Sequence, residues 1–93
     1  MCFLGVVVYL VFYVYVLLCC DGSFYTGYTK DVATRLRLHQ IGRGARYTKS
    51  HKPQKLVYFE EHASRGLAMK REREIKKLSH QQKQVLVDSK IVK

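Results

Sequence analysis

A short segment with strand signals on both sides of a turn signal constrains the fold of this chain more than any other feature. Residues 13–18 and 24–28 are runs of mainly aromatic, β-branched and aliphatic residues, and the dipeptide Asp21-Gly22 lies between them. Such runs favour strands, and Asp-Gly favours a two-residue type I′ turn because both central positions of that turn need a positive φ. The segment therefore predicts a β-hairpin.

The helix predicted after this hairpin carries two polar side chains on one face. Asp31 can cap a helix that begins near Val32 and ends before Gly42. Arg35 and His39 lie four residues apart, so they are neighbours on the helix surface. The hairpin and the helix together therefore place a guanidinium and an imidazole next to the two strands.

The remaining sequence predicts one further strand and two further helices. Residues 42–54 read as a basic, glycine-containing loop and residues 55–62 as a third strand. Ser64 can cap a second helix, and Ser79 opens a last helix with the S-x-x-Q form of a capping box. The order ββα, β, αα indicates an α+β domain in which helices pack against a three-stranded antiparallel sheet.

The first twenty residues allow two interpretations. Residues 1–20 contain no charged side chain, which meets the length of a membrane-spanning helix, and every Lys and Arg lies on their C-terminal side. Their many Val, Tyr and Phe residues favour a strand instead, and the second half is needed for the hairpin. We expect residues 1–11 to be an apolar extension of a cytoplasmic domain over residues 12–93. The alternative is a membrane anchor through residues 1–20.

The charge of the chain favours a polyanionic partner. Seventeen Lys and Arg residues oppose seven Asp and Glu residues, which gives a formal net charge of +10 on 93 residues. Nucleic acid is the first partner that such an excess indicates, and an acidic membrane surface is the second. The plainer alternative is that the charge only keeps the protein soluble.

The cysteines predict no metal site. Cys2, Cys19 and Cys20 form no C-x-x-C pair, and they do not combine with the four histidines at the spacing of a zinc site. We expect them to be small buried hydrophobic residues in a reducing cytosol.

The order of several short motifs resembles that of the GIY-YIG nuclease superfamily, in particular its small single-domain members of bacterial type. The paired signature of this superfamily is similar to Tyr13-Val14-Tyr15 followed by Tyr25-Thr26-Gly27. The likeness continues, in order, through Arg35, His39, the segment 42–49, Pro53, Glu72 and Ile75-Lys76. The resemblance covers most of the chain and implies a fold with the same ββα, β, αα order.

The resemblance implies a metal-dependent endonuclease that hydrolyses DNA phosphodiester bonds, with structure selectivity in repair or recombination. The implied catalytic residues are Tyr15, Tyr25, Arg35, His39 and Glu72. Tyr15 would be a general base or a hydroxyl that positions water, and Tyr25 would share its polar cluster. His39 would orient a tyrosine hydroxyl or help to move a proton, and the planar donors of Arg35 suit a phosphate.

Glu72 would be the metal ligand. By the resemblance it holds a single Mg²⁺ or Mn²⁺, and an ion that keeps most of its waters needs only one such carboxylate. Helical periodicity alone does not select Glu72, because Glu72 and Glu74 flank opposite sides of the apolar stripe of their helix. The alternative role of Glu72 is an ion pair with Lys76 on a solvated helix face.

A basic loop and a glycine complete the predicted site. Arg43, Arg46 and Lys49 are expected to contact phosphates, and Lys49 also matches a basic position in the loop of the family. Gly27 would let the backbone turn closely beside the site. The expected partner is DNA, with no small-molecule cofactor and no membrane, and the protein is expected to be a monomer.

Two other classes of protein stay open on the sequence. One is a basic nucleic-acid-binding module whose nuclease site is idle, and it differs from a nuclease in whether Glu72 and Tyr15 matter beyond stability. The other is a membrane-anchored basic protein, which would partition with membranes after extraction in high salt.

Overall fold

A computed structural model of the chain describes residues 11–89. The apolar extension predicted for residues 1–11 therefore lies outside the described residues except for Val11, as does the first half of the alternative membrane anchor. Within residues 11–89, no helix is long and apolar enough to cross a bilayer.

The sheet has three antiparallel strands with the first strand in the middle. Strands β1 (Phe12–Cys19), β2 (Phe24–Thr29) and β3 (Pro53–His62) have the spatial order β2-β1-β3. Both neighbours of β1 run antiparallel to it. The α+β prediction is confirmed, and the central position of β1 explains its unbroken apolar sequence, because both faces of the strand are buried.

The hairpin is present, but its turn is not the predicted two-residue type I′ turn. The Cys19 backbone N–H donates to the Ser23 carbonyl at 2.8 Å, which leaves a three-residue loop from Cys20 to Gly22. Gly22 has a φ of 85°, and no residue other than glycine has a positive φ within residues 11–89. Three-residue hairpins commonly consist of a tight turn followed by one left-handed residue, so Gly22 alone supplies the positive φ.

The predicted helices are present, and a short fourth helix is added. Helices α1 (Val32–Gln40), α3 (Arg65–Lys76) and α4 (His80–Asp88) begin after side-chain caps from Asp31, Ser64 and Ser79. The interpretation of residues 42–54 as a loop throughout is wrong, because α2 (Arg46–Ser50) lies inside this segment. A helix of five residues has little intrinsic stability, so α2 depends on tertiary contacts.

The two faces of the sheet pack against different helices. One face forms the hydrophobic core with α3 and α4, and its buried members are Val14, Val16, Phe24, Tyr58, Ala68, Ile75 and Val87. Side chains alternate along β1, so Tyr15 and Leu17 lie on the opposite face. That second face is the one that α1 and α2 cover, since Tyr15 contacts His39 of α1. Cys19 is buried as expected, but Cys20 is exposed in the turn.

Candidate active site

An open polar cavity of about 340 Å³ brings together four of the five predicted catalytic residues. Its walls come from β1, β2, α1 and α3, and its lining residues are Tyr15, Tyr25, Gly27, Tyr28, Thr29, Arg35 and Glu72. A larger cavity of about 400 Å³ lies elsewhere, beside Tyr13 and Phe59, and is lined by no predicted site residue. The first cavity is therefore the candidate active site.

The fifth predicted residue, His39, lies directly behind Tyr15. The Tyr15 hydroxyl oxygen is 2.8 Å from Nε2 of His39, and each residue is only 1% exposed. Burial raises the pKa of Tyr15 to about 12, although the nearby Arg35 guanidinium opposes this rise. Burial and the charge of Arg35 lower the pKa of His39 to about 4. At neutral pH the pair therefore consists of a protonated tyrosine and a neutral imidazole.

The second ring nitrogen of His39 is held by α2 and the residue before it. Nδ1 lies 2.7 Å from the Thr48 hydroxyl oxygen and 3.3 Å from the backbone N–H of Ala45. The Thr48 hydroxyl donates to the Ala45 carbonyl at 2.9 Å, so in one neutral tautomer its oxygen accepts a hydrogen bond from Nδ1–H. Nε2 then accepts from Tyr15. In the other neutral tautomer, Nδ1 accepts from Ala45 and Nε2 donates to Tyr15.

Two glycines allow the backbone to approach this pair closely. A Cβ atom on Gly27 would lie 2.5 Å from the Tyr15 hydroxyl oxygen, and one on Gly44 would overlap the ring of His39. The first of these close approaches was predicted from the position of Gly27. Both positions exclude any larger residue unless Tyr15 or His39 moves.

The structure distinguishes the two glutamates that helical periodicity leaves equivalent. The Glu72 side chain is 17% exposed and lines the cavity, and one of its oxygens is 3.3 Å from Nζ of Lys76. Glu74 has a 52% exposed side chain and lies 3.4 Å from Nη1 of Arg71. Glu72 thus has both the position expected of a site residue and the Lys76 ion pair of the alternative interpretation.

The donor atoms in the cavity fit a divalent cation shared with a substrate. Within residues 11–89 no group of three or more His, Cys, Asp or Glu side chains could hold a metal ion. Glu72 is the carboxylate among the lining residues of the cavity, which is open to solvent. Mg²⁺ is commonly bound through one or two carboxylates, with waters and substrate phosphates as its other ligands. A single glutamate in an open cavity matches this kind of magnesium site and does not match a site in which protein ligands alone surround the metal.

The predicted phosphate contacts lie outside the cavity. Arg43, Arg46 and Lys49 are all exposed, and the last two belong to α2. Thr48 is the residue of α2 that contacts His39, and it is 2% exposed. These charges therefore surround the segment that supports His39 and do not enter the cavity beside Tyr15.

Sequence reasoning missed three residues that shape the site. Thr48 and Gly44 support His39, and Tyr28 lines the cavity. Thr48 and Gly44 fall within the segment 42–49 that carries the family likeness, so the likeness marked the segment without indicating the two residues. No local pattern marks Tyr28, because a strand aromatic has no preference for a site over a core.

The strand order and the helices agree with the fold of the nuclease superfamily that the sequence motifs resemble. Residues 11–84 match the family described as the GIY-YIG catalytic domain, and the chain belongs to this family. More particularly, the chain is similar to proteins called UPF0213. It is 47% identical to the UPF0213 protein of Staphylococcus haemolyticus over 78 residues, which cover 84% of this chain and 95% of that protein.

Two further proteins support this similarity. The UPF0213 protein of Streptococcus sanguinis is 54% identical over 71 residues, which cover 76% of this chain and 82% of that protein. The solution NMR structure of a UPF0213 protein from Bacillus halodurans matches with a TM-score of 0.56 and 46% identity. That match covers 86% of this chain and 85% of the solved chain.

Proposed function

We propose that this protein is a metal-dependent endonuclease that hydrolyses phosphodiester bonds in DNA. The observation that carries the proposal is one cavity lined by a glutamate, an arginine and three tyrosines, in a chain with a net charge of +10. Residues 12–93 would form the catalytic domain, which would act in the cytoplasm as a monomer on structured DNA in repair or recombination.

Arg35 would bind the phosphate that is cleaved. Its guanidinium lines the cavity on the side of Tyr15, and its planar donors can bind two phosphoryl oxygens at once. Negative charge grows on these oxygens in the transition state, so a fixed cation at this position accelerates the reaction. The same charge helps to keep His39 neutral.

Tyr15 and His39 would move a proton away from the attacking water. A pKa of about 12 makes a free phenolate at Tyr15 rare at neutral pH. The Tyr15 oxygen can instead accept a proton from water while its own proton passes along the 2.8 Å hydrogen bond to Nε2 of His39. This transfer requires the tautomer in which Nδ1 donates to the Thr48 oxygen and Nε2 is free to accept.

Glu72 would hold the divalent cation, Mg²⁺ or Mn²⁺. The cation supplies positive charge to the phosphoryl and leaving oxygens when it is bound. The Lys76 ammonium, 3.3 Å from Glu72, keeps the partly buried carboxylate paired when no other cation is near.

Tyr25 contacts both partners of the proton relay, with ring centroids 6.3 Å from Tyr15 and 5.1 Å from His39.

The test compares Glu72→Gln with Glu74→Gln, which removes the same charge from the exposed side of the same helix. Linear, branched and flapped DNA are incubated with each variant, with Mg²⁺ and with chelator. We expect Glu72→Gln to lose cleavage and keep DNA binding, and Glu74→Gln to cleave like the parent protein. Cleavage by both variants would contradict the metal role of Glu72. Loss of folding in Glu72→Gln would point to a structural role.

A further inference from the structure

Two lysines from neighbouring helices, Lys76 and Lys83, form a cationic pair beside the candidate active site. Lys76 ends α3, Lys83 belongs to α4, and only residues 77–79 separate the two helices. The Lys76 ammonium is 3.3 Å from a carboxylate oxygen of Glu72 and 5.9 Å from the ring centroid of Tyr25. Both of these residues line the cavity, so Lys76 stands at its edge.

The first turn of α4 is fixed against the hairpin, which holds Lys83 on the same side of the domain as Lys76. The ring of His80 stacks on Phe24 with centroids 4.9 Å apart. Nε2 of His80 donates to the Gly22 carbonyl at 2.8 Å. Lys83 follows one helical turn later, so its backbone position is set by these contacts.

The charge of Lys83 has no counterion in the described part of the chain. Within residues 11–89, Lys83 forms no ion pair with an Asp or Glu side chain. Its side chain is half-buried, and this burial together with the positive charge of Lys76 lowers the pKa of Lys83. Glu72 is the carboxylate paired with Lys76. An anion bound between the two lysines would relieve their mutual repulsion.

An ordinary solvated lysine does not explain Lys83. The flexible four-carbon stem of a lysine lets the ammonium turn into water and away from other cations. Lys77, in the connection between the two helices, is exposed in this way. Lys83 instead lies half-buried and within reach of the charge of Lys76. A charge kept under these conditions is typical of a group that binds a ligand of opposite sign.

We propose that Lys76 and Lys83 together bind one phosphate of the DNA strand, next to the phosphate that is cleaved. When Glu72 holds a divalent cation, its charge is neutralised and Lys76 is released from the ion pair. The Lys76 ammonium, which starts 3.3 Å from Glu72, can then bind a phosphate directly beside the reacting one. Each lysine is a point charge with three donors, so two of them can bind different oxygens of one phosphate. This inference rests on the proposed function, since it takes DNA as the ligand of the cavity.

The test measures binding of duplex DNA to the full chain in chelator, where no cleavage interferes. Lys83→Met is the decisive variant, because methionine keeps the apolar stem of the side chain and removes only the charge. It should weaken binding about tenfold and reduce the slope of log affinity against log salt by about 0.9. Lys83→Arg keeps the charge and should bind like the parent protein. Lys77→Met removes an exposed charge from the position after Lys76 and should weaken binding less than twofold.

A double-mutant cycle tests whether the two lysines bind the same phosphate. Lys76→Met should also weaken binding about tenfold. A shared phosphate contacts both lysines and relieves their repulsion, and either single variant already loses that relief. The double variant should therefore lose clearly less than the roughly hundredfold that independent contacts would give. A loss of about a hundredfold or more would overturn the shared phosphate.

Two measurements separate binding from folding. Removal of a half-buried charge that a second cation repels should leave the thermal midpoint of Lys83→Met unchanged or raise it. In the parent protein, the ¹H–¹⁵N signals of the Lys76 and Lys83 ammonium groups should shift when DNA is added, and the signal of Lys77 should not. Unshifted signals from Lys76 and Lys83 would overturn the inference without any variant.

The outcomes also distinguish this inference from the proposed function. An affinity of Lys83→Met within twofold of the parent protein would overturn the lysine site even if the protein cleaves DNA. Weaker binding by Lys83→Met in a protein that cleaves no DNA with Mg²⁺ would leave the lysine site standing and reject the nuclease. A protein that binds no DNA would reject both.

Discussion

The Thr48→Val substitution removes a hydrogen bond to His39 but keeps the shape of the side chain at position 48. Thr48 is 2% exposed, and its hydroxyl makes hydrogen bonds of 2.7 Å to His39 and 2.9 Å to the Ala45 carbonyl. Valine fills the same space, so no cavity forms, but a buried imidazole nitrogen loses its strongest partner. Because Nδ1 keeps the Ala45 N–H as a partner, the lost hydrogen bond should cost about 0.5–1.5 kcal/mol of unfolding free energy.

The assay for Thr48→Val is thermal unfolding compared with Thr48→Ser. Each kcal/mol lowers the midpoint of a domain of this size by about 4–8 °C. Thr48→Ser keeps the hydroxyl and loses one methyl group, so it should cost about 0.8 kcal/mol at most. A valine variant that is as stable as the serine variant would show that this hydrogen bond contributes nothing.

The same pair of variants tests the proton relay. Without the Thr48 oxygen, Nδ1 keeps only the Ala45 N–H as a partner, so His39 should shift to the tautomer with its proton on Nε2. That tautomer cannot accept the proton of Tyr15. Long-range ¹H–¹⁵N spectra report the tautomer directly, and cleavage should fall about a hundredfold. Full activity in Thr48→Val with a shifted tautomer would refute the relay.

Three further predictions concern burial, close approach and the ion pair. The pKa of His39 is lowered from 6.5 to about 4 in the folded protein, so between these pH values the unfolded state binds more protons. The free energy of unfolding should therefore fall as the pH decreases from 6.5 to about 4, and His39→Gln should flatten this pH dependence. Gly27→Ala should reduce stability by about 1–3 kcal/mol, whereas Gly66→Ala, with open space around it, should raise it by about 0.5–1 kcal/mol. Lys76→Met should raise Mn²⁺ affinity about twofold by removing the competing cation from Glu72, and unchanged calorimetric affinity would contradict this.

The features of the fold that are set by residues close together in the chain, such as the helix starts and the hairpin, could be predicted from the sequence. Asp31, Ser64 and Ser79 cap their helices as expected, because a cap needs only a side-chain oxygen at the right place in the chain. The hairpin was predicted with the wrong turn. Asp-Gly is compatible with more than one loop length, and the pairing of the strands decides between them.

The parts that depend on distant residues could not be predicted in this way. Helix α2 has five residues and contacts the rest of the domain through Thr48, which meets His39, and through Tyr47, which stacks on Tyr25. Glu72 and Glu74 are equivalent on a helical wheel, and only the docking of α3 places Glu72 in the cavity. The family likeness selected Glu72 where periodicity could not.

The central position of β1 has a consequence for synthesis on the ribosome. The hairpin of β1 and β2 is complete early, but the second edge of β1 pairs with β3, which begins only at Pro53. Translation at about 5–20 residues per second leaves that edge open for several seconds while the intervening residues are made. An open apolar edge can pair with another chain, so high expression without chaperones should favour aggregation of nascent chains over that of the finished domain.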